Sequence, residues 1–253
     1  MPVLNRIFEK VMYWKIYPQV RNTIITQQHG FTKGRTVESN LLEFTYYISK
    51  TMDNTPPTQI DVVYTDLQKA FDKVNHQILL QKLRNIGFST SAVALFASYL
   101  NQSRQYVKYN GVRSYTYRCT TGVPQGRNLA PLFFLIYINN IPEHLKHSRF
   151  LLFADDLKIF KEIVTQQDAD DLRADLRGLE QWSKENHLPL NVKKCKTLTF
   201  TRKRCQINSE YYIQGEKLEQ VDIMRDLGVL MEGKLSYKKH IQKIQNNKKK
   251  PQV

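Results

Sequence analysis

The chain has 253 residues, a mass of 29.8 kDa and a net charge of +15. Its length suits one large domain or two small ones, and 41% hydrophobic against 24% charged residues excludes wholesale disorder. Ten glycines and nine prolines exclude collagen-like and low-complexity classes, and a pI near 9.6 points to a polyanionic partner, most simply nucleic acid.

Leu4, Ile7, Phe8, Val11 and Met12 recur at helical spacing and predict an opening amphipathic helix. Residues 27–36, QQHGFTKGRT, read as a basic, Gly-containing loop. Val37, Leu41, Phe44 and Ile48 predict a second helix, broken at Asp53, Asn54, Pro56 and Pro57. The run IDVVYTD, residues 60–66, is short and β-branched, as a buried strand should be. Ile78, Leu79, Leu83 and Ile86 restore helical spacing, with Gly87 where a helix stop belongs. A further helix is expected over 92–100, and a hairpin over 106–117 around Asn110-Gly111.

Residues 122–126 form a loop, and 129–138 are apolar all round, which predicts a buried helix entered at Pro131. RFLLFADDLKIF, residues 149–160, reads as two strands joined at Asp155-Asp156. Residues 168–184 predict a polar helix with Leu172, Leu176, Leu179 and Trp182 on one face. Residues 188–200, 211–213 and 226–230 are expected to be extended, and the Lys-rich tail from Lys238 to fray. Helices first, then strands interleaved with helices, indicate an α+β fold. Cys119, Cys195 and Cys205 lack any CxxC or zinc-like spacing and fit a reducing, intracellular setting. The longest apolar run, residues 132–138, is too short for a membrane span, and the charged N-terminus has no signal-peptide core.

Two places put carboxylates where burial is expected. Asp66 ends an apolar strand, and Asp155 and Asp156 sit between two more. Taken alone, the Asp-Asp pair reads more simply as a solvated hairpin tip. A dry cluster of like charges is stable only if protonated, solvated or neutralised by a cation. Mg²⁺, a hard ion that prefers oxygen ligands, is the natural choice, and a pair of such ions suits phosphoryl transfer.

Together the motifs resemble the reverse transcriptase of jockey-like non-long-terminal-repeat retrotransposons. The stretches that carry the resemblance are QQHGFTKGRTVESNL, YTDLQKAFDKVNH, TGVPQGRNLAPLFFLIYINNIP, FADD, LPLNVKKCKTLTF and DLGVLMEGKLSYKKHI, in family order over nearly the whole chain. The resemblance implies a right-hand polymerase palm: a ferredoxin-like antiparallel sheet backed by helices, with partial helical fingers and the thumb largely absent. It divides the chain into partial fingers over 1–58, a palm over 59–232 with a fingers-like insert at about 76–121, and a thumb start or frayed basic tail over 233–253. It implies Asp66, Asp155 and Asp156 as catalytic carboxylates that bind two Mg²⁺ (Mn²⁺ as substitute), with the Leu67 carbonyl as a further ligand.

The same resemblance makes Phe71 a steric gate against the ribose 2′-OH; read alone, Phe71 is an ordinary core aromatic. It places Gln125, Gly126 and Arg127 at the nucleotide, and Lys33 and Arg35 near the template. It makes Lys194 the proton donor to the leaving pyrophosphate, with Lys193 and Lys196 close enough to leave that choice open. The implied partners are an RNA template, a DNA primer and dNTPs, acting in the nucleus or cytoplasm without a membrane. Arg127 stands where the family usually has Ser, Ala130 where it has Gly, Leu67 where an aromatic is common and Asn140 where Asp is frequent. An upstream basic finger stretch is expected to be missing. Two functions follow: an RNA-directed DNA polymerase, or a retrotransposon relic that binds nucleic acid without catalysis.

Overall fold

A computed structural model describes residues 3–101, 104–124, 129–203 and 205–248. Helices α1 (Val3–Val20) and α2 (Val37–Met52) precede strand β1 (Gln59–Thr65). Helices α3 (His76–Asn85) and α4 (Thr90–Asn101) lead to two short ladders, β2 (Arg104–Gln105) with β5 (Tyr117–Arg118) and β3 (Lys108–Tyr109) with β4 (Val112–Arg113). Helix α5 (Leu129–Ile138), strands β6 (Arg149–Phe153) and β7 (Asp156–Ile163), helix α6 (Gln166–Glu185) and strand β8 (Lys196–Thr201) follow. The chain then forms β9 (Tyr212–Ile213) with β10 (Glu216–Lys217), β11 (Glu219–Gln220), the pair β12 (Ile223–Asp226) and β13 (Val229–Glu232), and α7 (Lys238–Lys248).

The central sheet has the order β11-β8-β1-β7-β6, antiparallel throughout except for the short parallel edge strand β11. Counted among its four long strands alone, the order is fourth, first, third, second. That is the split-βαβ arrangement of a ferredoxin-like palm, with β7 inserted between the parallel strands β1 and β6. β1 is buried at every position, and its Asp61 and Thr65 side chains are satisfied internally: Asp61 accepts from Gln59, Thr199 and Tyr211, and Thr65 donates to the Leu157 carbonyl. Its alternate residues serve two cores. Val63 packs with Ile159, Phe133, Tyr137 and Trp182 on one face, and Ile60, Val62 and Tyr64 pack with Phe44, Ile48, Phe160 and Phe200 on the other. Each such side chain contributes roughly 1.5–3 kcal/mol by leaving water. α5 buries nine of its residues, all but Pro131, so it is a core rod between the sheet and the other helices.

Local signals set the helix ends. Thr36 and Ser39 form a capping box at α2, and Thr165 and Asp168 another at α6. Buried Asp175 on α6 accepts the backbone N–H groups of Lys146, His147 and Ser148, which fixes the entry to β6. Gly122, at φ 87°, could not carry a Cβ without meeting the Asp72 carbonyl oxygen at 2.8 Å.

Four expectations are corrected. Residues 188–200 are not extended throughout, because Val192–Lys194 form a short helical turn before β8. The face of α1 expected to be buried is largely open: Ile7, Phe8 and Val11 are 55%, 45% and 45% exposed, and the helix instead buries Glu9, Ile16 and Val20. Helical spacing marks an apolar face but not the element that covers it, and α1 meets the core through its last turns. Residues 226–230 are not one extended run but a hairpin, turned by Leu227 and Gly228 at positive φ. The tail from Lys238 is helical to Lys248 rather than frayed. Among the described residues, no helix is long and apolar enough to cross a membrane.

Candidate active site at the strand ends

Asp66 lies one residue past β1, where the strand leaves the core, and its side chain is about one-third exposed at 32%. Its carbonyl accepts the Asn191 N–H at 2.7 Å, while the Gln68 N–H donates to the Pro189 carbonyl at 2.8 Å. These bonds pair buried Leu67 with Leu190 and lay residues 189–194 against the end of β1. The next turn, Val192–Lys194, swings the Lys194 Nζ to 3.5 Å from Asp66 Oδ2. Lys193 is exposed, and Lys196 is ion-paired with Glu219. Of the three lysines, it is therefore Lys194 that faces the carboxylates.

The FADD hairpin differs from the expected Asp-Asp turn. Phe153 pairs with Asp156, so Ala154 and Asp155 make the turn and Asp156 opens β7. Ala154 takes the left-handed position at φ 56°, which costs an alanine free energy. A buried side chain from far away holds it there. Gln28 accepts the Ala154 N–H at 2.9 Å and the Gly30 N–H at 2.7 Å, and donates to the Ala154 carbonyl at 3.1 Å. Residues 27–29 continue as a strip beside β6, through Leu152 N–H to the Gln27 carbonyl and His29 N–H to the Leu152 carbonyl. Asn40 of α2 donates to that same Leu152 carbonyl at 3.0 Å. Gly30 has no alternative: a Cβ there would lie 2.2 Å from the Ala154 nitrogen.

This turn faces Asp66. Burial pushes the Asp155 carboxyl up, with Asp66 adding to the rise and Lys194 opposing it. Asp156, open on its outer edge, is pushed up to about 6 by dehydration of its inner side and then by Asp155, Asp226 and Asp66. Asp66 and the adjacent pair Asp155 and Asp156, far from it in sequence, therefore form one electrostatically stressed cluster. Behind Asp156, Lys158 and Asp226 make a buried ion pair at 2.5 Å, with the Lys158 ammonium 4.3 Å from the Phe44 ring centre. The pair ties the β12–β13 hairpin to the sheet beside the cluster; buried pairs of this kind position elements more than they stabilise them.

Phe71 sits in the short helical turn Ala70–Asp72, entered through Lys69 at φ 49°. Its ring is half-buried, stacked on Phe134 at 4.3 Å and edge-on to Phe31 at 6.1 Å. Its carbonyl accepts the Val123 N–H and the Val74 carbonyl accepts the Gly122 N–H, so the loop after Thr121 starts directly beside it. Gln125, Gly126 and Arg127 lie outside the described residues. Lys33 is exposed, and its backbone N–H donates to the Tyr17 hydroxyl. Arg35 has internal partners: the Thr26 carbonyl and buried His29, whose ring also meets Ser39 and Glu43. Burial, then Arg35, lowers the His29 pKa.

Sequence reasoning missed Gln28, Gly30, Lys158 and Asp226. Gln28 and Gly30 fall inside a quoted motif, but a Gln and a Gly in a polar run read as loop, and the partner is 126 residues away.

Reverse transcriptases use divalent metal ions, and the donor set here fits such an ion: hard carboxylate oxygens whose mutual repulsion a cation would relieve. Among the described residues, no three ligating side chains converge as they stand, so backbone and substrate oxygens would have to complete the coordination.

The chain resembles known proteins in sequence and in shape. It is 28% identical over 251 residues to the probable RNA-directed DNA polymerase from transposon X-element of Drosophila melanogaster, covering 96% of this chain and 27% of that protein. It is 23% identical over 257 residues to the RNA-directed DNA polymerase from mobile element jockey of the same species, covering 97% and 27%. The chain thus spans about 27% of the length of these relatives. Among solved structures, telomerase of Candida tropicalis in complex with a TWJ fragment of telomeric RNA aligns with a TM-score of 0.58 at 13% identity, over 93% of this chain and 38% of that one. Apo telomerase of the same organism, truncated from the C-terminal domain, aligns with a TM-score of 0.56 at 11% identity, over 88% and 45%. These likenesses show a shared fold. The family model described as reverse transcriptase (RNA-dependent DNA polymerase) matches residues 1–245, and the chain belongs to that family.

Proposed function

We propose that this chain is the palm and part of the fingers of a retrotransposon RNA-directed DNA polymerase, with fingers over 1–58, palm over 59–232 and the basic helix after 233 leading towards a thumb. It extends a DNA primer on an RNA template with dNTPs, inside the cell. The observation that carries this reading is the convergence of Asp66 and the Ala154–Asp155 turn, with Lys194 against Asp66.

Asp66, Asp155 and Asp156 would hold two Mg²⁺ or Mn²⁺ ions, with the Leu67 carbonyl alongside, and the bound ions would supply positive charge to the anionic oxygens of the reacting phosphates. The chain's own residues supply position and shape. The primer 3′-hydroxyl gives its proton to water as its oxygen bonds to the α-phosphorus, the bond to pyrophosphate breaks, and Lys194 gives a proton to that leaving group and regains one from water. Phe71, held between Phe134 and Phe31, places a fixed ring where a 2′-OH would collide, so deoxynucleotides are selected. Gln125, Gly126 and Arg127 contact the incoming nucleotide. Lys33 is free to meet template phosphate, whereas Arg35 serves through the His29 network it completes.

The test is dTTP incorporation on poly(rA)/oligo(dT) with Mg²⁺ or Mn²⁺, run beside Asp155→Asn. Incorporation by the parent and none by the variant supports the reading. Equal incorporation by both removes it.

A further inference from the structure

No Asp or Glu occurs from Lys73 to Pro142, a stretch that carries eight lysines and arginines. In its middle stands the hairpin of β3 and β4. Asn110 at φ 47° and Gly111 at φ 83° turn it tightly, as two-residue hairpin turns require. Ser114 closes its base, donating its N–H to the Val107 carbonyl and accepting the Val107 N–H on Oγ.

The side chains of this hairpin do not enter the core. Tyr115 is 98% exposed, Tyr109 76%, Val112 72% and Tyr106 48%, and Lys108 and Arg113 are exposed beside them. Arg113 already lies 5.0 Å over the Tyr106 ring. A two-stranded hairpin open on both faces is marginal in water without a partner, and exposed aromatics on this scale mark an interaction surface. Aromatic rings interleaved with cations and no anion are what unpaired bases and their phosphates require: rings to stack on, charge to track the backbone. A protein partner would not call for the absence of every carboxylate.

The hairpin is also tied to the site. Its return strand continues through β5 to Thr121, which bridges to Asn75, and on to Gly122 and Val123, hydrogen-bonded to Val74 and Phe71. A strand held by the hairpin is therefore on the same chain segment that frames the nucleotide pocket.

We infer that the β3–β4 hairpin is a binding platform for single-stranded RNA, with Tyr109 and Tyr115 stacking bases and Lys108 and Arg113 meeting phosphates. This deepens the polymerase reading by giving the unpaired template strand a place to lie, but it is tested without synthesis.

The probe is a fluorescein-labelled oligo(rU) of about 15 nucleotides, long enough for one such platform, followed by anisotropy with the full chain across a salt series. Tyr109→Ala with Tyr115→Ala should weaken binding by roughly 5-fold for each base that loses its ring, about 30-fold together, with little change in salt slope. Lys108→Ala with Arg113→Ala should instead flatten the salt slope by about two phosphate contacts. All four side chains are exposed, and the melting temperatures of the variants should match the parent's.

Parent-like affinity in the tyrosine double variant overturns the proposal, as does equal affinity for a duplex of the same length. Asp155→Asn separates the two claims. If it abolishes incorporation while the hairpin variants bind RNA like the parent, the platform falls and the polymerase stands. If the parent incorporates nothing yet the hairpin variants lose RNA, the platform stands alone.

Discussion

Gln28→Ala should disable the Ala154–Asp155 turn without touching a carboxylate. The side chain makes three hydrogen bonds with buried backbone, at 2.7, 2.9 and 3.1 Å. Its removal leaves the Ala154 N–H, the Ala154 carbonyl and the Gly30 N–H without partners. Each orphaned buried group costs about 1–3 kcal/mol, so the lower bound is about 3 kcal/mol. That is a large part of a typical stability of about 5–15 kcal/mol. Ala154 also loses what holds it at positive φ, so Asp155 should drift from Asp66. A misplacement of about 1 Å commonly lowers a rate about 100-fold. Urea unfolding gives the first number and dTTP incorporation the second, with Gln27→Ala as the control, whose side chain accepts a hydrogen bond from exposed Thr26. Loss of less than about 1 kcal/mol, with incorporation equal to the control, would refute the argument that Gln28 holds the turn.

Three further outcomes follow from the geometry. Gly30→Ala should destabilise by more than about 1 kcal/mol and lower incorporation, because its Cβ meets the backbone of Ala154 at 2.2 Å; denaturant midpoints check this. Lys194→Met should lower kcat by about 100-fold or more at nearly unchanged KM while moving stability by less than about 1 kcal/mol, since its ion pair with Asp66 is exposed to water; steady-state kinetics beside urea unfolding would expose a merely structural role. Burial lowers the Lys82 pKa to about 8, although its ammonium donates to the Tyr137 carbonyl, Asn140 and Asn186. Below pH 8 both folded and unfolded states carry the charge and the burial penalty is complete; above it the native state releases the proton first. Stability should therefore rise from pH 8 to 9.5 by up to about 1.4 kcal/mol per unit relative to Lys82→Met, and parallel curves for the two proteins would count against the assignment.

Much of this protein was legible in one dimension because its signals are local. The β-branched run of β1, the all-apolar α5 and the Leu-Leu-Leu-Trp face of α6 each announce an element through its own residues. The Asn110-Gly111 pair specifies its turn through backbone sterics alone. The resemblance carried by the motifs likewise implied Asp66, Asp155 and Asp156 as a set. What lay beyond reach were choices made by partners distant in the chain. Which face of α1 is buried depends on α5, not on α1. That Ala154, rather than an aspartate, takes positive φ depends on Gln28, and that Lys194 is the lysine that turns inwards depends on the bonds of Asp66 and Gln68 to residues 189–191. Local residue patterns thus mark the elements and put carboxylates at strand ends. What braces those carboxylates comes from contacts across the fold, because a hydrogen bond between residues 126 apart leaves no periodicity to read.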